Sequence, residues 1–361
     1  MSDPLTLISN IRFHRRLKLE TSYGRLAVSY ADVGCPTGPV LLYLPGMFAS
    51  RYLGIPIHAM AEQIGVRVLV IDRPGMGGST DVPHSQRVNV WIDILPRVLS
   101  HVGISRVNLA SHSAGTVYLL NTWARCRDLV GDVVGFFAPW VDPAHSRVPH
   151  MQMAQWIPER AFALWHRIPR FVVTRANSVL ASSGVFMRQL SGSSGITTAN
   201  SHGEEEEDEG NDSFLAANFR RMERDYAVSR GHAAELSKLA VRFMFAEETV
   251  GANGEALQCV RKGEGWDWGV CEDYGACARI LADMERRQEG RKLTVLAYFA
   301  AKDALVGKKG QEYFGQCWAA PGVKEEIQLV SRVIAGSDHD AVAQSVEAWE
   351  EVLRLVRDAD F

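Results

Sequence analysis

The segment Val107-Asn-Leu-Ala-Ser-His-Ser113-Ala-Gly115 joins an apolar run to a serine that has small residues two positions before and after it. A serine on a sharp strand-to-helix turn is lifted above its sheet, and its backbone is strained. The chain passes so close to itself there that both flanking positions must be small, and Ser111 and Gly115 meet that demand. The pattern predicts a nucleophile at Ser113.

A second copy of the pattern, at residues 191–195, stands in a different context. It lies in a stretch rich in Ser and Gly with no apolar run before it, which is typical of a flexible linker. Ser113 instead follows an apolar strand and precedes helical sequence at residues 116–123. The context therefore favours Ser113 over Ser193.

Short apolar runs alternate with segments of helical periodicity along much of the chain. This alternation predicts an α/β fold with a mostly parallel sheet flanked by helices. The predicted strands are residues 11–19, 25–32, 40–44, 68–71, 107–110, 133–137, 293–299 and 327–334. Predicted helices occupy residues 53–64, 88–102, 115–124, 232–247, 274–287, 310–318 and 341–356.

The alternation stops after Trp140 and resumes near residue 274. We therefore predict a core made of residues 1–142 and 266–361, with a helical insertion at residues 143–265. Within the insertion, about residues 190–213 carry Ser, Gly and six consecutive acidic side chains, a composition that predicts a disordered loop. The segment Gly251-Ala-Asn-Gly254 predicts a turn.

Composition and charge restrict the classes of function. A net charge of −3 gives no reason to expect nucleic acid or an anionic membrane as a partner. No apolar stretch reaches the length that spans a bilayer, and the first residues lack the pattern of a secretory signal. Six cysteines without a C-x-x-C pair argue against a zinc site or a disulfide framework. We expect a cytoplasmic protein that acts on a small molecule without metal or cofactor; its oligomeric state stays open.

A serine nucleophile needs a base, and the base needs an orienting acid. In open α/β sheets such groups gather at the carboxyl ends of strands. His339 follows the last predicted strand and a Gly-containing turn, so it is the predicted base. Asp303 follows the preceding predicted strand and is the predicted acid, with Asp142 as the alternative.

The tetrahedral intermediate of acyl transfer needs backbone N–H donors for its oxyanion. Ala114 follows the predicted nucleophile at the start of a helix, where the dipole adds positive potential. Met47, after the strand end Pro45-Gly46, is the best source of the second donor. The two N–H groups of Met47 and Ala114 are therefore the predicted oxyanion hole.

In order and spacing, these features resemble the α/β-hydrolase superfamily over residues 25–142 and 270–361. The resemblance implies a triad in the order nucleophile, acid, base, here Ser113, Asp303 and His339. It also implies that the insertion is similar to the superfamily's cap domain, which follows the sixth strand and roofs the pocket. The loop at residues 72–79 looks like the D-x-P-G-x-G-x-S loop of the superfamily and is expected to support the oxyanion turn.

Two positions depart from the superfamily pattern. Pro45 stands where many members have His, and Ser111 replaces the first glycine of the elbow, and both bear on oxyanion geometry. The residues imply a serine hydrolase that cleaves a carboxylester, lactone or thioester of a small, apolar substrate through an acyl-enzyme. Trp156 and Trp165 of the insertion are candidates for setting substrate preference. Alternatives on the same fold are a carbon–carbon bond hydrolase, a cofactor-free lyase or cyclase, and a non-catalytic ligand-binding protein.

Overall fold

One sheet of eight strands runs through the described residues of the computed structural model, which are 3–162, 201–263, 265–288 and 293–359. The strands are β1 (Arg15–Thr21), β2 (Gly24–Gly34), β3 (Val40–Leu44), β4 (Arg67–Ile71), β5 (Val107–His112), β6 (Val130–Phe137), β7 (Thr294–Lys302) and β8 (Leu329–Asp338). Their order across the sheet is β1-β2-β4-β3-β5-β6-β7-β8. The pairs β1–β2 and β2–β4 are antiparallel, and all other neighbours are parallel. The predicted α/β architecture is confirmed.

Helices connect the strands and cover both faces of the sheet. In chain order they are α1 (Pro4–Ile8), α2 (Ile55–Ile64), α3 (Arg87–His101), α4 (Gly115–Arg125), α5 (Pro143–Ser146), α6 (Pro149–Ala154), α7 (Glu159–Phe162), α8 (Ser201–Tyr226), α9 (Arg230–Ala246), α10 (Gly251–Cys259), α11 (Tyr274–Arg286), α12 (Gly307–Trp318) and α13 (Val346–Asp358). One face packs against α2 and α13, and the other against α3, α4, α11 and α12.

The central strands are apolar along their whole length because both of their faces are buried. In β3, Leu42 and Leu44 belong to the core under α3 and α4, whereas Leu41 and Tyr43 belong to the core under α2 and α13. Neighbouring side chains of a strand point to opposite faces, so a continuous apolar run fills two cores at once. This arrangement exposes the carboxyl ends of the parallel strands at one edge, where the loops after β3, β5, β7 and β8 meet.

Between residues 143 and 263 the described secondary-structure elements are all helices, α5 to α10. The predicted turn at Gly251–Gly254 is wrong, because these residues form the first turn of α10. Gly251 serves close packing instead: a Cβ there would lie 2.3 Å from the carbonyl oxygen of Pro74. Its N–H donates to the carbonyl of Gly75 at 2.9 Å, so α10 is seated directly on the loop at residues 72–79.

Helix α8 begins at Ser201 and therefore covers the acidic part of the segment at residues 190–213 for which the composition predicts a disordered loop. The rest of that segment lies outside the described residues. Rules that score disorder count charge and low hydrophobicity, whereas glutamate is a good helix former. The acidic run is thus compatible with both states by composition, and the backbone here is helical.

Arg51 makes a buried ion pair within the sheet region and a partly buried one with the helices between β6 and β7. The guanidinium of Arg51 lies 2.6 Å from Asp72 of the loop after β4 and 2.6 Å from Glu247 at the end of α9. All six cysteines are in the described residues and none of them forms a disulfide. In the part of the chain that the structure describes, no helix combines the length and apolarity needed to cross a membrane.

Candidate active site

Ser113 stands directly after β5 in a strained turn. Its φ is +48°, in the left-handed region that residues with a Cβ rarely adopt. The N–H of Ser113 donates to the carbonyl of Phe137 on β6 at 3.1 Å, and the N–H of Thr116 donates to the carbonyl of Ser113 at 2.9 Å. Backbone hydrogen bonds from both sides therefore hold the strained residue in place.

Two side chains from the ends of β7 and β8 converge on this serine. Nε2 of His339 lies 2.8 Å from Oγ of Ser113, and Nδ1 of His339 lies 2.9 Å from Oδ2 of Asp303. Ser113 is 3% exposed and His339 is 2% exposed, so water has little access to the chain of hydrogen bonds. The structure thus brings together the three residues that the sequence selects as nucleophile, base and acid.

The loops that carry the acid and the base are fixed by their own backbone donors. Oδ1 of Asp303 accepts hydrogen bonds from the N–H groups of Leu305 at 2.9 Å and Val306 at 2.8 Å, which leaves Oδ2 for the imidazole. Oδ1 of Asp338 accepts from the two N–H groups that follow His339, at 3.0 and 2.8 Å. The carboxylate of Asp303 and the loop that carries His339 are therefore held in place by the protein itself.

Burial and pairing act against each other on the ionisation of this group. Burial by itself lowers the pKa of His339, but the adjacent charge of Asp303 and the hydrogen bond to it outweigh burial and raise the pKa to about 9. Burial raises the pKa of Asp303, yet the interactions with His339 and the two backbone donors leave it below its ordinary value. The carboxylate thus stabilises the imidazolium, the form that a general base takes on when it accepts a proton.

A buried arginine holds the turn after β3. Arg73 donates to the carbonyl of Pro45 and to the carbonyl of Gly46, each at 2.6 Å. The same guanidinium makes a two-point ion pair with Glu255 of α10, at 2.5 and 2.9 Å. Arg73 and Glu255 are each 1% exposed. The loop at residues 72–79 thus supports the turn at Gly46, as the resemblance implies, and does so with a partner from the insertion.

The two predicted oxyanion donors belong to segments that lie next to Ser113. Ala114 precedes the first residue of α4, and Met47 follows Gly46, whose Cα is so near that an added Cβ would lie 3.4 Å from Cβ of Ser113. Among the described residues, no acceptor engages the backbone N–H of Met47 or of Ala114. The carbonyls of Pro45 and Gly46 point to Arg73. The N–H of Met47 belongs to the same peptide group as the carbonyl of Gly46, so it points away from Arg73.

Asp142, the alternative acid, is occupied in another way. Its Oδ1 accepts a hydrogen bond from the N–H of Ala144 and caps α5, and its Oδ2 lies 2.9 Å from Arg261. The predicted specificity residue Trp156 is 85% exposed, and Trp165 lies outside the described residues. Ser193, the competing serine, also lies outside them.

Sequence reasoning missed two residues of this region, Glu255 and His112. Glu255 is separated from Arg73 by 182 positions, and no local pattern links an acidic residue of a helix to so distant a loop. His112 precedes Ser113, the predicted nucleophile, and its Nε2 lies 3.1 Å from the carbonyl of His339. Burial lowers the pKa of His112 to about 4, although Asp340 opposes that effect, so the ring is neutral at pH 7.

A group of three side chains has the spacing of metal ligands. Among the described residues, His112, His339 and Asp340 each offer one ligand atom within 4.8 Å of the others. Both ring nitrogens of His339 are already engaged, one by Ser113 and one by Asp303. A metal ion at this position would thus compete with the hydrogen bonds that connect Ser113 and Asp303.

Comparison with known proteins identifies the fold. The sequence matches no protein-family model and no curated protein. Three solved structures are similar at 14% identity: an esterase from Rhodococcus sp. ECU1013 (TM-score 0.53, covering 96% of this chain and 99% of that one), a carboxylesterase of Nitrososphaera gargenis (0.52, 93% and 96%) and an α/β-hydrolase fold protein from Nakamurella multipartita (0.52, 95% and 99%). The chain has the α/β-hydrolase fold, and that prediction is confirmed.

The close approach of the elbow to β3 gives a testable prediction. A Cβ on Gly115 would lie 2.0 Å from the carbonyl oxygen of Leu44, a backbone atom that has no room to move. Gly115→Ala should therefore lower the free energy of unfolding by at least ~1–3 kcal/mol. Gly315→Ala is the matched control, because a Cβ there meets no described atom within 4 Å, and in the interior of α12 it should stabilise by about 0.5–1 kcal/mol. Urea titration of both variants measures the difference, and equal effects would contradict the close contact.

Proposed function

We propose that the chain is a serine hydrolase that cleaves a carboxylester, lactone or thioester of a small, apolar substrate through an acyl-enzyme on Ser113. The observation that carries the proposal is the continuous hydrogen-bonded chain from Ser113 through His339 to Asp303 at the carboxyl ends of β5, β8 and β7. A ligand-binding protein needs no such chain of hydrogen bonds. In a purely structural role, the backbone strain at Ser113 would lower stability without any benefit.

In the proposed reaction, Oγ of Ser113 attacks the carbonyl carbon of the ester while Nε2 of His339 takes the hydroxyl proton. The tetrahedral intermediate collapses, the bond to the leaving oxygen or sulfur breaks, and the leaving group takes the proton from His339. Water, deprotonated by His339, then attacks the acyl-enzyme, releases the carboxylic acid and restores Ser113. Asp303 keeps the proton of the neutral imidazole on Nδ1 and stabilises the imidazolium.

The backbone N–H groups of Met47 and Ala114 are the proposed donors to the oxyanion. Three features support this assignment: the approach of Gly46, which precedes Met47, to Ser113, the absence of another acceptor among the described residues, and the start of α4 at Gly115. The first-turn N–H groups of a helix carry the positive end of its dipole, which favours a developing negative charge. Removing a donor of this kind from a hydrolase costs about 10²–10³-fold in kcat.

Covalent labelling tests the nucleophile without knowledge of the substrate. A fluorophosphonate should add once to the wild-type protein, at Ser113, and Ser113→Ala should abolish the adduct while leaving the protein folded. Ser193→Ala, which alters the competing pentapeptide, should label like the wild type. Intact-mass and peptide mass spectrometry locate the adduct. If the folded wild-type protein stays unmodified, the serine-hydrolase assignment is wrong, and a binding protein or a lyase of this fold becomes the better assignment.

The pH dependence of kcat/KM tests the base. The neutral imidazole accepts the proton, so activity is lost below the pKa of His339 and gained as pH rises through it. Burial lowers that pKa, but Asp303, with Asp340 and Asp338, outweighs burial and raises it from 6.5 to about 9, so the profile should rise with a midpoint near pH 9. Asp303→Asn should move the midpoint to lower pH and reduce kcat by up to about 10⁴-fold through the wrong tautomer. Asp142→Asn serves as the control, and a profile unchanged by Asp303→Asn but shifted by Asp142→Asn would reassign the acid.

The role of Arg73 can be separated from a purely structural one. Arg73→Lys removes the fork that holds two carbonyls and Glu255 at once, so the oxyanion turn loses its orientation and kcat should fall about tenfold or more with little change in KM. Arg127→Lys is the matched control, because Arg127 makes a similar buried two-point pair with Glu285, at 2.6 and 2.8 Å, away from Ser113. Both variants should lose stability, and only the first should lose kcat. Equal kcat in the two variants would contradict a positioning role for Arg73.

A further inference from the structure

A cavity of about 220 Å³ lies between the insertion and the core. Helices α2 and α13 of the core form one side of it, and helices α8 and α9 of the insertion form the other. The apolar residues from these four helices that line it include Ile57, Met60, Phe219, Met222, Leu236 and Trp349. It is larger than an engineered apolar cavity of ~150 Å³ that binds benzene, so it has room for an organic group of similar or greater size.

The cavity reaches the neighbourhood of the proposed nucleophile. Gly46, Met47 and His112 are part of its wall, together with Asp340. Gly46 is the residue whose added Cβ would lie 3.4 Å from Cβ of Ser113, and His112 directly precedes Ser113 in the chain. The wall of the cavity and the wall of the proposed oxyanion hole therefore share the turn at Gly46-Met47.

The chemistry of the lining selects an apolar occupant. Asp340 is the only acidic residue among the described residues of the lining, and Lys and Arg are absent from that set. The two histidines there, His58 and His112, both have a pKa that burial lowers, so neither adds positive charge at pH 7. A charged ligand would find no compensating partner along most of the wall, whereas a hydrocarbon gains by leaving water.

We propose that this cavity binds the apolar acyl chain of an ester substrate, so that the protein hydrolyses medium-length acyl esters in preference to acetyl esters. The inference rests on the proposed function. The acyl group stays attached to Ser113 until water arrives, whereas the leaving group diffuses away, so a walled site next to the oxyanion turn suits the acyl side of the bond. Helices α8 and α9 of the insertion then set the length of chain that fits.

The experiment compares kcat/KM for p-nitrophenyl octanoate and p-nitrophenyl acetate. Each methylene that enters apolar surroundings should raise kcat/KM by up to about fourfold. The ratio of kcat/KM for the octanoate to that for the acetate should therefore exceed about ten in the wild type. Met222→Trp places an indole in the cavity and should lower the ratio at least ~tenfold. Met153→Trp makes the same substitution on α6 at a side chain that is 65% exposed, and it should keep the wild-type ratio. If Met222→Trp does not fold, Phe219→Ala enlarges the cavity and should shift the preferred acyl chain beyond octanoate.

The outcomes separate this inference from the proposed function. A wild-type protein that neither hydrolyses any of these esters nor reacts with a fluorophosphonate would overturn both. A protein that reacts with the fluorophosphonate and hydrolyses the acetate, but whose ratio stays below about ten or is the same in Met222→Trp and Met153→Trp, would overturn the acyl cavity alone. A loss in Met222→Trp that appears with octyl acetate but not with p-nitrophenyl octanoate would assign the cavity to the alcohol side and overturn the acyl assignment.

Discussion

Arg73 is the residue on which three parts of the molecule depend. Its guanidinium is enclosed in protein and satisfies two backbone carbonyls of the turn after β3 and both carboxylate oxygens of Glu255. Removing Glu255 would take from the buried charge of Arg73 the carboxylate that compensates it, which costs about 3–5 kcal/mol, whereas Glu255 has a second cation in Arg87 at 3.6 Å. Arg73 therefore couples the sheet, the turn after β3 and helix α10. The shape of the proposed oxyanion hole depends on a residue of the insertion that is far from it in sequence.

In the proposed triad, burial alone would shift the pKa of His339 in the wrong direction. Burial lowers the pKa of a histidine unless a nearby carboxylate outweighs it, and in the neighbouring His112 burial wins although Asp340 opposes it. His339 differs because the carboxylate of Asp303 lies on its Nδ1 side, and Asp303 in turn keeps its charge through two backbone donors. Two adjacent histidines of similar burial thus have opposite shifts. The position of one carboxylate decides which of them is suited to accept a proton from Ser113.

The sequence predicted what local patterns determine. The bounds of β3 and β4 were predicted to within a residue, because a strand buried on both faces is a short, continuous apolar run. β8 extends to Asp338, four residues beyond its predicted end, since an edge strand that is largely exposed needs no apolar pattern. The selection of Ser113, Asp303 and His339 rested on their positions after strands, and those positions are what the parallel sheet brings together. Long-range pairs left no such signal: the partner of Arg73 and the occupation of Asp142 by Arg261 follow only from the packing of the insertion.

The two departures from the superfamily pattern fit the environment of this chain. Proline has no N–H, so Pro45 contributes only its carbonyl to the turn, and Arg73 receives that carbonyl together with the next one. The orientation of the turn therefore comes from the arginine below it and does not require a side-chain donor at position 45. Ser111 is fully buried, and its hydroxyl has no hydrogen-bond partner among the described residues. The unpaired hydroxyl therefore lowers the stability of the fold by about 1–3 kcal/mol. Because the elbow keeps its φ of +48° and its distance to His339, the cost does not change the geometry on which the proposed chemistry depends.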